Sequence, residues 1–281
     1  MLPIFFTKLS TSENNLIIIN ALEQSIPSLD YATLAKDMSD PVKGMASDGV
    51  ILLLPSELAD MKMTIYNRDG SRAKTCGNGL RLIGHYLLEI DRFLNPTLTI
   101  ETDVNVCTLT RQDHTITVDL GFAHSLIDPY QTLSLTSHPK DYCSEIETSS
   151  GNWHVDMISM GNSHFIIYTE DDHDTFINES KRISKQHDVN VGIVTIINST
   201  QLKLTTYERG VGLTGSCGTN AAAAVASAVT RGLLKPYTPL TVYTPGGDLT
   251  LIWNEEAHLL VSGHCTKVCC GTYFFQNEKE D

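Results

Sequence analysis

The sequence predicts an α/β (α+β) fold built as two copies of one folding unit, and three observations predict it. Met61-Lys-Met-Thr-Ile-Tyr-Asn-Arg68 returns as Leu202-Lys-Leu-Thr-Thr-Tyr-Glu-Arg209, an offset of 141 residues in a chain of 281. Each copy reaches a Cys-Gly pair ten residues beyond its tyrosine, at Cys76-Gly77 and at Cys217-Gly218. Around both copies, short strand-like runs alternate with stretches of helical periodicity. A repeat of this length implies that each half forms the same supersecondary unit. We therefore expect a first domain over residues 1–120, joined by a returning C-terminal strand within 266–281, and a second over 121–265. A hydrophobic content of 41% supplies the apolar surface for real cores.

In the first half, Leu16-Ile-Ile-Ile19 and Gly49-Val-Ile-Leu-Leu-Leu54 are apolar runs of strand length, the second closed by Pro55, with helical text near 28–38 between them. Met63–Tyr66 reads as another strand, and Asn67-Arg-Asp-Gly-Ser71 as the turn that ends it. Leu80, Ile83, Leu87 and Ile90 then recur at helical spacing, so a helix begins after Cys76-Gly77-Asn78-Gly79. Pro96–Glu101 and Thr115–Leu120 alternate like strands of an antiparallel sheet.

The second half repeats the order. Met157–Met160 and Phe165–Tyr168 are strand-like, 172–187 is polar and helical, and Val191–Ile197 is strand-like again. After Cys217-Gly218, Thr219–Val229 is small on every face and is closed by Arg231-Gly232 and Pro236. A helix without a polar face is a buried one, and we place it in the middle of its domain. Leu240-Thr-Val-Tyr-Thr244 echoes Leu98-Thr-Ile-Glu-Thr102, and Val268–Phe275 reads as a final strand. Residues 121–152 show no such order and are expected to hold the inter-domain connection.

A net charge of -13 argues against phosphate-backbone binding, which needs clustered Lys and Arg. The expected partner is a small molecule rather than nucleic acid. No apolar run approaches the ~20 residues of a membrane span, and Met1–Phe6 is too short for a signal-peptide core. We expect a soluble, cytoplasmic protein whose seven cysteines are thiols rather than a disulfide framework.

Unpaired amides and aligned peptide dipoles give a helix N-terminus roughly half a positive charge. At such a position the thiolates of Cys76 and Cys217 become accessible, and the amides of Gly77, Asn78, Gly218 and Thr219 are able to hold a carboxylate. Two thiols flanking one α-carbon provide a base on one face and an acid on the other, with the developing charge held at the carboxylate. The plain alternative is that both cysteines are small buried residues. His264-Cys265 with Cys269-Cys270 matches no familiar zinc spacing, and we assign no metal.

At this point the residues resemble the diaminopimelate epimerases, which need no cofactor. The similarity spans the chain and is carried by Tyr66–Ser71 leading to Cys76–Gly79, Ser159–His164, Asn190–Gly192, Tyr207–Gly210 leading to Ser216–Thr219, and Pro245–Gly247. The resemblance implies two pseudo-symmetric domains, each a mostly antiparallel sheet wrapped around a central helix. It implies an isomerase interconverting LL- and meso-diaminopimelate in lysine biosynthesis, independent of pyridoxal phosphate, with Cys76 and Cys217 as the catalytic pair. Glu208 and His164 match flanking polar groups that set the protonation of the thiols or hold the substrate amine. Asn67, Asn162, Asn190 and Arg209 match the residues that recognise the distal end of the substrate, and Asn14 an asparagine near the reacting carbon. The family often dimerises, which makes a homodimer an expectation. Two departures concern the substrate: Ser10-Thr-Ser-Glu-Asn14 lacks the glycine usual before that asparagine, and Asn220 stands where the family tends to have glycine. Beside this reading stand a racemase acting on another amino acid and a thiol redox or regulatory protein.

Overall fold

The computed structural model describes residues 2–24, 26, 30–74, 76–89, 95–112, 115–149, 151–169 and 173–275. Ile90, residues 28–29 and 172 of the expected helical stretches, and 276–281 of the expected final segment lie outside them. By its contacts the chain divides into two compact units, Met1–Val118 with Cys265–Asp281, and Asp119–His264.

The first unit runs β1 (Leu2–Thr11), β2 (Asn14–Asn20), α1 (Tyr31–Ser39), β3 (Gly49–Leu54), β4 (Met61–Asn67), β5 (Arg72–Ala73), α2 (Gly77–Glu89), β6 (Thr97–Glu101), β7 (Val106–Gln112) and β8 (Thr115–Phe122), whose last residues belong to the second. There follow β9 (His124–Ser125), β10 (Cys143–Thr148), β11 (Gly151–Ser159), β12 (Ser163–Tyr168), α3 (His173–His187), β13 (Asn190–Asn198), β14 (Gln201–Glu208), β15 (Gly212–Thr214), α4 (Gly218–Thr230), β16 (Leu240–Tyr243), β17 (Leu249–Trp253) and β18 (His258–Gly263). The chain ends on β19 (Thr266–Phe275), antiparallel to β1 in the first unit.

The two units share one topology. In the first, β1 pairs antiparallel with β2, α1 crosses to β3 parallel to β2, and β3 turns into antiparallel β4. Helix α2 then crosses to β6, parallel to β4, and β6, β7 and β8 form an antiparallel meander. The second repeats each step with β11, β12, α3, β13, β14, α4, β16, β17 and β18. Even the register is kept, with Val50 opposite Tyr66 and Val191 opposite Tyr207. The α+β class read from the sequence is the one observed.

Two-sided burial explains the continuous apolar runs. Ile17, Ile19, Val50 and Leu52 pack with Leu34, Ala35 and Met38 of α1. The alternate residue Ile51 turns to α2, where a Cβ on Gly79 would come within 3.0 Å of its Cδ1. Strands covered on both faces need no polar alternation. In the second unit Ile183 of α3 packs with Val155, Phe165, Ile167 and Val191. Helix α4 is ringed by β11, β12, β13, β14, β17 and β18. Every residue from Asn220 to Val229 is buried there, because alanine lets strands approach from all sides.

Two segments differ from expectation. β1 buries Ile4, Phe6 and Leu9, but its polar Thr7, Lys8 and Ser10 hide a ten-residue strand from a search for apolar runs. Residues 121–152, which do not follow the repeated order and were expected to hold the inter-domain connection, contain β9, a short 3-10 turn (Pro139–Asp141) and β10. Among the described residues β10 pairs with β11 alone and buries little beyond Ile146 and Thr148, so its sequence carries almost no hydrophobic signal.

Candidate active site

In the first unit, Cys76 precedes α2 and its carbonyl accepts the Leu80 amide at 3.0 Å, making it the helix cap. Its Sγ accepts the Gly79 amide at 3.3 Å, so the sulfur already faces the positive end of the helix. Gly77 and Asn78 form the first turn. Asn78 is buried, and its Oδ1 accepts from Arg81 Nη2 at 2.8 Å. The same nitrogen lies 3.4 Å from Ser12 Oγ, which ties the helix mouth to the β1–β2 hairpin. That hairpin closes through Ser12 and Glu13, at φ 50 and 63, left-handed geometry that glycine adopts without strain. Asn14 follows directly, with its Oδ1 buried and unpartnered. Asn67 is exposed and braces its turn, donating from Nδ2 to Ser71 Oγ at 2.9 Å.

In the second unit Cys217 caps α4, its carbonyl accepting the Ala221 amide at 2.9 Å and its Sγ lying 3.4 Å from Thr219 Oγ1. Burial, and then the Glu208 carboxylate, push this thiol up to about 12, so it stays protonated at neutral pH. Glu208 ends β14 and is itself pushed above the usual carboxylate range by burial, against the pull of hydrogen bonds from Thr214 and Cys217. Its Oε1 accepts from Thr214 Oγ1 at 2.8 Å. His164 is wholly buried, and burial drives it down to about 3 against the pull of the Asn220 side chain, which keeps the ring neutral. Nε2 lies 2.8 Å from Asn162 Oδ1. An amide oxygen only accepts, so Nε2 carries the proton and Nδ1 is the ring's acceptor. Asn190 donates from Nδ2 to Ser163 O and accepts the Arg209 amide at 3.0 Å. Arg209 is half exposed, with Nη1 on Asp188 Oδ2 at 2.9 Å. Gly218 and Thr219 open α4.

Native interiors leave few polar atoms unsatisfied. Among the described residues the buried, unpartnered side-chain atoms belong to Asn14, Arg81, His164, Ser216 and Asn220. Three of these residues lie at the helix mouths, Arg81 in the first turns of α2 and Ser216 and Asn220 on either side of Cys217 and the start of α4. Asn220, the departure from the family's glycine, lies in the first turn of α4. It turns to the sheet, donating to Val191 O and Thr206 Oγ1 at 3.2 and 3.0 Å, in space that a Cβ on Gly192 would fill.

The sequence profile of the family described as diaminopimelate epimerase matches residues 6–126 and 157–268. The chain is 35% identical over 286 residues to the diaminopimelate epimerase of Bacillus pumilus, covering 96% of this chain and 98% of that protein. It is 32% identical over 292 residues to that of Bacillus cereus, with 97% and 98% covered. The chain belongs to the diaminopimelate epimerase family. Among solved structures it resembles a probable proline racemase from Agrobacterium radiobacter K84, at a TM-score of 0.70 and 13% identity over 99% of this chain and 94% of that one. A hydroxyproline epimerase from Agrobacterium vitis matches at 0.65 and 14%, over 96% and 92%. At such identities these two speak for the fold. The family profile covers both helix mouths and omits 127–156, where β10 lies.

Sequence reasoning passed over Arg81, Ser163, Thr214 and Asp188, all bonded to candidate site residues. A charge within the apolar pattern Leu80, Leu82, Ile83 was the available signal for Arg81. Ser163 lies within the Ser159–His164 string, and no pattern marks Thr214 or Asp188. Among the described residues no group of three or more His, Cys, Asp or Glu side chains is arranged to hold a metal. No described helix is long and apolar enough to cross a membrane.

Proposed function

We propose that the protein is a cofactor-independent epimerase interconverting LL- and meso-diaminopimelate by two-base proton transfer. The observation that carries this reading is the repeated helix mouth, a capping cysteine on α2 and another on α4, in a chain of this family. One cysteine, as thiolate, takes the α-proton: the C–H bond breaks and an S–H bond forms. The other, as thiol, returns a proton to the opposite face, so that the configuration inverts with no net change in atoms or electrons. Negative charge develops toward the α-carboxylate in between, where the amides of Gly77, Asn78, Gly218 and Thr219 stabilise it.

In this reading burial and then Glu208 keep Cys217 protonated, and His164 Nδ1 accepts from the substrate ammonium. Asn14, Asn67, Asn162, Asn190 and Arg209 position the rest of the molecule, its distal carboxylate at Arg209. We assign the protein to the cytoplasm, with a small amino acid as its ligand and a second copy of the chain as its partner. The Arg209–Asp188 pair favours a second reading, because the proposed distal anchor already holds a carboxylate. That reading keeps the mechanism and changes the amino acid.

Incubation in deuterium oxide under reducing conditions with a panel of amino acids tests both. We expect α-deuteration and inversion of diaminopimelate. Exchange with another amino acid alone rejects the substrate, and exchange with none rejects the epimerase in favour of a thiol redox role. Cys76→Ala and Cys217→Ala should each lower inversion by about 10²-fold to 10⁴-fold or more. Full activity in either rejects the two-base mechanism.

A further inference from the structure

Arg81 is 1% exposed, and its Nε and Nη1 have no hydrogen-bond partner. Nη2 alone is bonded, to the neutral oxygens of Asn78 and Ser12. Guanidinium stays charged in proteins, and buried charges are ordinarily paired. No carboxylate pairs with this one among the described residues. Its place deepens the anomaly. Helical side chains lean toward the helix N-terminus, so Arg81 covers the turn that begins at Cys76. A helix dipole opposes a cation at that end and favours an anion. An unpaired guanidinium here is stable only if an anion forms beside it.

Burial pulls the guanidinium below its usual range, and the groups that favour its charged form are the thiols of Cys265 and then Cys76. Other titratable residues on the elements around α2 are Lys8 on β1, Cys107 and Arg111 on β7, and His85, Tyr86 and Glu89 on α2 itself. Lys8 is spent on the carbonyls of Met45 and Ala46, and Cys107 donates to Asn105. Cys265 is pushed up by burial in spite of Arg81 and lies at no helix N-terminus. Cys76 alone combines the cation, the helix end and a hydrogen bond from the Gly79 amide.

We infer that Arg81 is a positioning residue that holds Cys76 as the resting thiolate, so the free enzyme waits with its base on α2 and its acid, Cys217, on α4. This rests on the proposed use of both cysteines in proton transfer. It adds a direction: the substrate epimer whose α-hydrogen faces Cys76 meets an enzyme already in the right protonation state.

The test is iodoacetamide labelling of the full chain across pH, read cysteine by cysteine by mass spectrometry, in wild type, Arg81→Met and Arg81→Lys. No substrate is needed, so the result is independent of whether diaminopimelate is the substrate. In wild type the Cys76 midpoint should lie below the ~8.5 of a free thiol. Arg81→Met should raise it by about one to three units, and Arg81→Lys should restore most of the shift. The acid limb of kcat/KM should move with it in the direction begun by Cys76, and KM should hardly change. A wild-type midpoint at or above that of a free thiol overturns the inference even if Arg81→Met fails to fold. So does an unchanged midpoint in folded Arg81→Met, or a shift confined to Cys265.

Discussion

Helices α2 and α4 occupy the same place in the repeat, yet they handle size and charge in opposite ways. Where α2 has Leu80, Arg81, Leu82 and Ile83, α4 has Ala221 to Ala224. Each ends up with a buried or half-buried arginine, at opposite ends. Arg81 lies at the N-terminal turn of α2 without a carboxylate. Arg231 caps the C-terminus of α4, where the dipole favours a cation, and grips Asp156 with Nη2 at 2.5 Å and Nε at 2.7 Å. Asp156 also accepts from Ser227, which is bonded to Tyr168, and the guanidinium lies over the Tyr168 ring. The paired charge sits at the end away from the cysteine and organises structure. The unpaired one sits beside the cysteine, where an ionising thiol completes it.

The strongest way to break this comparison is to make the same change in both helices. Arg231→Met strands the Asp156 carboxylate, which is 1% exposed, and should cost about 3–5 kcal/mol by urea denaturation. Arg81→Met strands no carboxylate, because Cys76 can keep its proton instead of stranding a charge, and should cost clearly less than Arg231→Met. Equal losses would mean that Arg81 is a structural ion-pair member after all, and its link to Cys76 would need another explanation.

A smaller effect tests how the mouths differ in shape. In the first unit Gly79 faces the large Ile51; in the second the large Asn220 faces Gly192. The bulk has changed sides across the same helix–strand contact. Gly192→Ala puts a Cβ at 2.8 Å from Asn220 Oδ1 and 2.9 Å from Ile166 Cδ1, and should cost about 1–3 kcal/mol. Adding Asn220→Gly should return part of that loss, with a coupling of about 0.5 kcal/mol or more. Simple additivity would show that the two residues do not share the space.

That swap marks the limit of what the sequence reveals. The 141-residue offset places both cysteines, both helices and both parallel crossovers, because a repeat constrains local structure and topology together. Asn220 stood out only as a departure from the family, and its compensation by Gly192 needs the packing in space. β1 and β10 escaped because partial burial or edge pairing stabilises strands without apolar runs. Arg81 was visible as a charge in an apolar pattern, but its lack of a partner is a property of the folded state alone.

The last difference concerns titration. His164 on β12 takes the place that Leu16 holds on β2, so one unit buries a titratable ring where the other buries an alkyl chain. His164 is driven down to about 3 from 6.5. Between those values the unfolded chain binds a proton that the folded chain does not, so the protons bound are greater in the unfolded state and stability rises with pH. The contribution is fully present above 6.5 and is lost as pH falls toward 3, at about 1.4 kcal/mol per unit for this one group. His164→Leu copies the first unit's solution. Just below 6.5 it should flatten the dependence of the urea midpoint by that slope, and above 6.5 it should cost about 1 kcal/mol through the hydrogen bond lost to Asn162. An unaltered slope would mean that the ring gains its proton in the folded protein. Nδ1 would then be a donor, unable to receive a substrate ammonium, and the electrostatic logic of the second helix mouth would have to be built from Glu208 and Cys217 alone.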